Sequence, residues 1–308
     1  MEKANNGHEA RLLVLDAKHA RILSFATDGT DVTTVMEGCG PAPDGIVIDP
    51  AKRHIYWTNM GVQTPNTEHF SHNDGSIERV DFNGANRTVI VPSGATFTPK
   101  QLTIDVEDGL IYWCDREGMR VMRVQTDGSG LSILVQTGSG DTDRLDETRH
   151  CVGITLDTEN RHLYWTQKGP HRGGLGRIFR APLDLSHDTD PANRKDIELL
   201  WDQLPEPIDL DFDHYNGILY WTDRGAAPKG NTLNRGEVTA RKSPAPEVLC
   251  GGLKEVIGLA LDLENNRAFF VDLGGNLYSS NMDGSDFKLL YSGDNIFTGI
   301  AYAPKGLA

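Results

Sequence analysis

Residues 54–60 read HIYWTNM, and the same form returns as LIYWCDR at 110–116, HLYWTQK at 162–168, ILYWTDR at 218–224 and, weaker, AFFVDLG at 268–274. Four of the chain's five tryptophans stand in these copies, spaced 49 to 56 residues apart. A period of that size marks one repeated unit stacked on itself, as in a solenoid or a propeller, and not a row of separate domains.

Ahead of the motif lie DGIVIDPAKRHIYWTN, KQLTIDVEDGLIYWCD, VGITLDTENRHLYWTQ, IDLDFDHYNGILYWTD and IGLALDLENNRAFFVD. Each reads as a short apolar strand, an Asp-led turn and a second strand. Asp49, Asp105, Asp157, Asp213 and Asp262 share one turn position, where the carboxylate can bond the backbone two residues on. After the motif come alternating segments joined at Asn-Gly or Asp-Gly, a strong hairpin signal, as in GSIERVDFNGANRTVIV. Each period is therefore a four-stranded antiparallel sheet, and radial packing buries its faces. FTGIAYAP at 297–304 reads as a first strand, and residues 11–37 as the second, third and fourth. Together the two ends make a sixth blade that leaves no free sheet edge. The expectation is an all-β chain, residues 1–308 forming one six-bladed β-propeller closed by N-terminal strands and a C-terminal strand.

The high glycine count of 33 agrees with a turn-rich β protein. No apolar run reaches the ~18 residues of a membrane span. A net charge of −14 opposes nucleic acid and acidic membrane surfaces as partners. The N-terminus shows no leader, and Cys39, Cys114, Cys151 and Cys250 lie too far apart for a zinc or redox motif. Reduced thiols and a cytoplasmic location follow. The sequon Asn86-Arg87-Thr88 matters only to a secreted protein. HExxH, GxSxG and a phosphate loop are absent, and GGLG at 173–176 lacks the flanking elements of a dinucleotide site. No metal and no cofactor are expected.

Tyr-Trp-Thr-Asp at 220–223 and its relatives at 56–59, 112–115 and 164–167 resemble the YWTD repeat of low-density-lipoprotein-receptor class B propellers. Motif, period, hairpin turns and blade count agree over nearly the whole chain; blade five departs with FFVD and the closing blade with LVLD. The aromatic pairs should fill the space between blades. The trailing Asn59, Asp115, Gln167, Asp223, Asp272 and Asp16 should hold backbone amides at the strand ends.

If the repeat is scaffold, function belongs where its copies differ. Three long loops follow the second strands: 60–75 with His69, Phe70 and His72, 168–176 with His171 and Arg172, and 224–236 with Arg224. They form either a partial lid over the axis or tolerated surface insertions. The longest connection between blades, 137–151, ends in Arg149 and His150; His150 is an acid–base candidate or a satisfied structural histidine. Four inner strands carry Gly45, Gly153, Gly258 and Gly299 where two carry Gln101 and Asp209. Asp44, Lys100, Glu255 and Thr298 should surround the channel mouth, a ring suited either to a polar organic ligand or to channel water, and Phe297 joins the residues expected to contact substrate.

The candidate catalytic set is thus His150, Gln101, Asp209 and Arg149, and the remaining named residues would contact substrate. A single propeller without accompanying cysteine-rich modules resembles the soluble stand-alone members of the family, some of which resemble hetero-Diels–Alderases of secondary metabolism. That resemblance implies a cofactor-independent pericyclase joining a polyketide-derived quinone methide to a terpene, with small organic substrates as partners; a homo-oligomer is compatible with it. A protein-interaction propeller, with Phe70, Phe97 and Phe297 on its surface, is a second reading. A lactonase-like or strictosidine-synthase-like hydrolase is a third.

Overall fold

In the computed structural model, which describes residues 9–186, 188–239 and 243–306, every expected repeat is a four-stranded antiparallel sheet. Blade one runs from Pro43–Asp49 through His54–Asn59 and Ser76–Asp81 to Thr88–Val91. Blades two to five begin at Pro99–Asp105, Cys151–Asp157, Pro207–Asp213 and Val256–Asp262. The sixth sheet is the one the two chain ends build together. Phe297–Ala303 pairs with Arg11–Asp16, Leu12 opposite Tyr302 and Val14 opposite Ile300, and Arg21–Ala26 and Thr33–Glu37 complete it. The chain is therefore an all-β six-bladed propeller whose six first strands ring a central axis. The leader-free reading of the N-terminus falls largely on residues 1–8, which lie outside the described residues.

The period of two along a strand explains why the motif joins two aromatics. Neighbouring side chains point to opposite sheet faces. Trp57 packs with Leu13 and Ile22 of the preceding blade, and Tyr56 with Ile111 and Trp113 of the following one. Trp165 and Tyr164 repeat this between blades two and four. All eight Tyr and Trp rings of the four full copies are at most 1% exposed. Each buries roughly 150–250 Å², an upper bound of about 4–6 kcal/mol at about 25 cal/mol/Å².

The motif's threonine has an equally specific task. Thr58 accepts from the Gly45 amide and donates to the Lys100 carbonyl, both at 2.8 Å. Thr166 joins the Gly153 amide to the Ile208 carbonyl, and Thr222 the Asp209 amide to the Ile257 carbonyl. One hydroxyl thus ties each inner strand to the next blade's inner strand, which no backbone pairing does. The closeness of these strands also explains the glycines: a Cβ at Gly153 would stand 1.9 Å from the Ile208 carbonyl oxygen.

Two details differ from the sequence expectation. Asp49, Asp105, Asp157 and Asp262 accept from the amide three residues on, because each caps a longer turn; Asp213 alone also reaches two residues on. Gln167 has no carboxylate to take up amides, and its side-chain amide instead faces the Cys151 sulfur at 4.0 Å. Asn59, Asp115, Asp223, Asp272 and Asp16 do hold amides at the strand ends. The four cysteines are unpaired.

Candidate functional site

Where each inner strand begins, one side chain per blade points to the axis: Asp44, Lys100, Val152, Ile208, Ile257 and Thr298, all at most 8% exposed. Val152, Ile208 and Ile257, from consecutive blades, pack as an apolar half-ring. The other half is polar. Lys100 Nζ donates to Asp44 Oδ1 at 2.6 Å, and Thr298 donates to the Pro43 carbonyl at 3.0 Å. Burial pulls the Lys100 ammonium below the usual lysine range, and Asp44 opposes that shift. This layer closes the channel mouth that the sequence suggested would be open.

Gln101 and Asp209 lie in the channel and line a narrow cavity of about 170 Å³ with Asp211. Gln101 donates to Asp44 Oδ2 at 3.2 Å. Asp209 accepts from the Leu210 and Leu259 amides, both at 2.9 Å, and so staples blade four to blade five. Burial pushes its carboxyl well up, and pushes that of Asp211 up to about 6.

A second cavity of about 320 Å³ opens on the loop face. Its walls are the 66–69 stretch of blade one's loop, Arg116 of blade two, Glu147 and His150 of the long connection, and Lys168 and His171 of blade three. The loops reach across their neighbours to build it. Phe70 donates its amide to Glu117 and accepts from the Thr98 hydroxyl, fastening blade one's loop over blade two. Arg172 donates its amide to Glu206 at 3.0 Å and its guanidinium to Glu255 at 3.2 Å, carrying blade three's loop over blade four to blade five.

Charge is dense here. Arg116 places two nitrogens on Glu117 at 2.5–2.9 Å. Lys168 Nζ lies 3.2 Å from Glu147 and 3.5 Å from Glu206. Glu206, fully buried, also meets Arg224 at 2.8 Å and His171 Nδ1 at 3.2 Å. Burial holds the Lys168 ammonium below its usual range, opposed by Glu206. For Glu117 burial would raise the carboxyl, but the Arg116 charge and hydrogen bonds outweigh it and bring the value to about 2. His150 is 1% exposed, and burial lowers its pKa against the pull of Glu117. Its Nε2 stands 2.9 Å from the Arg144 carbonyl, an acceptor, so Nε2 carries the hydrogen and Nδ1 the lone pair.

The expected residues therefore divide. His150, His69 and His171 line the loop-face cavity. Arg224, Arg172, Glu255 and Phe70 brace it from behind. Asp44, Lys100 and Thr298 close the channel, and Gln101 and Asp209 sit beyond that closure, apart from His150. Arg149 points away, into a cleft between blades two and three, because its guanidinium is held by the Thr137 carbonyl and Asp146. Phe297 is fully buried against Phe25 and Tyr291 and lines neither the loop-face cavity nor the channel. His72 is exposed and lines neither the loop-face cavity nor the channel. Among the described residues no group of three or more His, Cys, Asp and Glu is arranged to hold a metal ion, and no helix is long and apolar enough to cross a membrane.

No protein-family model matches the chain. It is 42% identical over 310 residues to the low-density lipoprotein receptor-related protein 1 of Pyricularia oryzae, covering 94% of this chain and 97% of that one. The chain belongs to the YWTD-repeat propeller family. A second YWTD relative, the 3-hydroxyacyl-CoA dehydrogenase-like protein LAM1 of Cochliobolus heterostrophus, is 37% identical over 298 residues; the match covers 93% of this chain and 61% of LAM1. The YWTD fold is also that of a chain in the crystal structure of a nidogen/laminin complex, at a TM-score of 0.73 and 18% identity, covering 96% and 98% of the two chains.

Sequence reasoning missed Arg116, Glu117, Glu147, Lys168 and Glu206. For Glu206 a signal was available. Counting three residues back from the Gly45 position in each blade gives Ala42, Thr98, His150, Glu206, Glu255 and Ile296. Glu206 thus shares the register of His150. Arg116, Glu117 and Lys168 follow the motif directly and Glu147 lies in the long connection, where the copies diverge without any internal rule.

Proposed function

We propose that the chain is a cofactor-independent enzyme acting on a small polar organic molecule in the loop-face cavity. Within that class, we read it as a pericyclase that unmasks an ortho-quinone methide and steers its cycloaddition to an alkene. One observation carries the reading: the placement of charge. Buried ion pairs are rarely worth more to stability than well-packed apolar side chains. The ring supplies its own control, because Val152, Ile208 and Ile257 satisfy the same fold positions that Asp44, Lys100 and Thr298 occupy. Ion pairs gathered around an open cavity are thus not a demand of the scaffold.

The chemistry follows from the protonation states. Neutral His150 can take a phenolic proton at Nδ1. The benzylic carbon–oxygen bond breaks with its electron pair on oxygen, the Lys168 ammonium protonates that oxygen, and water leaves. Arg116 polarises the resulting carbonyl. Cycloaddition then forms one carbon–carbon and one carbon–oxygen bond and loses no atom, after which the imidazolium returns its proton to the Lys168 amine through solvent. Orientation of the two reactants can supply roughly 7–11 kcal/mol. The apolar reactant would approach from the rim, where Leu145 and Leu175 are 76% and 50% exposed on the loops that carry Glu147 and Lys168.

The test uses 2-hydroxybenzyl alcohol with an electron-rich vinyl ether, following chroman formation and its enantiomeric excess by chiral chromatography. Wild type should give faster, enantioenriched product, and Lys168→Met and His150→Gln should each fall by roughly 10²-fold or more. Racemic product at the buffer rate would sink the proposal. The exposed Val62, Leu145 and Leu175 favour a second reading, protein interaction at the same face. A stoichiometric protein complex that survives Lys168→Met but not Leu145→Asp would support it.

A further inference from the structure

The cleft between blades two and three contains a buried donor with no acceptor. Trp165 is 1% exposed, and its indole Nε1 has no hydrogen-bond partner among the described residues. In blades one and two the equivalent nitrogen is satisfied by the preceding connection: Trp57 donates to the Cys39 carbonyl at 3.0 Å and Trp113 to the Thr96 hydroxyl at 3.2 Å. Blade three is preceded by the long connection instead, whose Thr137 is already committed. Its carbonyl accepts from Arg149 at 2.6 Å, and its hydroxyl donates to the Arg149 carbonyl at 2.6 Å. The Trp165 side chain lines a cavity of about 410 Å³, with the indole nitrogen buried at its wall. A buried donor without an acceptor is costly and rare, so it calls for an explanation.

The surroundings suit an anion. Trp165 stands opposite Phe179 in the strand register, and Gln167 opposite Arg177 two residues further on, so all four side chains share one sheet face. The Trp165 and Phe179 rings are stacked, with centroids 5.3 Å apart and planes at 16°. Above this platform Arg177 lies 5.3 Å from the Phe179 ring centre and forms no ion pair among the described residues. Its one side-chain hydrogen bond goes to the Thr148 carbonyl, which leaves a guanidinium with unused donors and an unbalanced positive charge. Arg149, about 39% exposed, stands at the rim with its charge offset by Asp146 at 3.2 Å and Asp143 at 3.8 Å, so Arg177 is the cation left unbalanced. In a chain of net charge −14 such a pocket stands out.

We propose that this cleft is a binding site for a small aromatic carboxylate. One carboxylate oxygen accepts the Trp165 indole N–H, the other pairs with Arg177, and the ring of the ligand lies against the Trp165–Phe179 platform. The site is separate from the loop-face cavity and does not depend on the chemistry assigned there.

Benzoate is the probe. In ¹⁵N-labelled protein the indole N–H signal of Trp165, identified by its loss in Trp165→Phe, should move in a saturable way on titration with benzoate, while those of Trp57 and Trp113 stay still. Arg177→Gln, a half-buried surface change that keeps the Trp165 signal, should weaken the affinity at least tenfold. Acetate should bind more weakly than benzoate, because it lacks the ring. A signal that responds equally to chloride at matched ionic strength, or that no carboxylate moves, would overturn the proposal and leave the indole N–H to an ordered water.

Discussion

Replacing Lys100 by Met tests whether the polar half of the axial ring is a fold requirement. Asp44 is 1% exposed and relies on Lys100 at 2.6 Å and Gln101 at 3.2 Å. Removing one partner of a buried pair typically costs about 3–5 kcal/mol, because the other charge stays behind. Gln101 still holds one oxygen of Asp44, so the lower half of that range is expected. For 308 residues at roughly 2.1 cal/mol/K per residue, the unfolding entropy is about 0.65 kcal/mol/K, so the full range corresponds to a fall in Tm of about 5–8 °C. The double variant Asp44→Val with Lys100→Met copies the apolar half of the ring and should recover most of the loss or exceed wild type. Asp44→Val alone leaves a lysine whose folded pKa burial already depresses. Its stability should rise with pH between that depressed value and the unfolded 10.5, as the ammonium gives up its proton. Thermal unfolding of the four proteins at pH 7 and pH 9 measures the cycle. A Lys100→Met variant within about 1 kcal/mol of wild type would refute the claim that Asp44 depends on this pair.

Thr166→Val should leave the Gly153 amide and Ile208 carbonyl unpaired at about 1–3 kcal/mol for each group, whereas Thr166→Ser keeps both bonds; urea unfolding separates the two. Gly153→Ala forces a Cβ to 1.9 Å from the Ile208 carbonyl and should lose more than about 4 kcal/mol or fail to fold. Gly174→Ala, at φ +66° with open space around it, should cost only about 1–2 kcal/mol by the same measurement. Glu117, brought down to about 2 from 4.5, contributes stability that is complete above pH 4.5 and fades as the pH falls towards 2, roughly 3 kcal/mol in all. In Glu117→Gln that acid limb should be absent from a stability–pH curve.

The ring was legible in the sequence because two independent periods agree on it. The alternation of two placed Tyr56 and Trp57 on opposite faces, and the spacing of 49 to 56 residues repeated the arrangement round the ring. The closing blade followed from what each terminus lacked. The candidate site was legible only in part. His150 stood out as a departure, yet its neighbour Arg149 turns to another cavity, because the Thr137 carbonyl and Asp146 hold its guanidinium there. Gln101 and Asp209 also stood out, but only coordinates show that their side chains bond Asp44 and Leu259 within the channel. Apart from the adjacent Arg116 and Glu117, the loop-face ion pairs join residues 18 to 83 positions apart, and no short-range pattern specifies such partners.

Scaffold and site nevertheless share atoms. Asp223 of the motif accepts from the Glu206 amide at 3.0 Å, Asp115 from the Thr98 amide at 2.8 Å, and Asp272 from the Lys254 amide beside Glu255 at 3.0 Å. The motif's carboxylate thus fixes the main chain of the segment from which Glu206 and Glu255 project. Blade three has Gln167 there, and its connection is fastened by Arg149 on Thr137 and Arg177 on Thr148. That substitution frees residues 146–150 from the clamp, and those residues send Asp146, Thr148 and Arg149 into the inter-blade cleft and Glu147 and His150 into the loop-face cavity. The blade that breaks the repeat's polar rule therefore borders both cavities, which is where a ring of near-identical units would be expected to differ in order to act on anything.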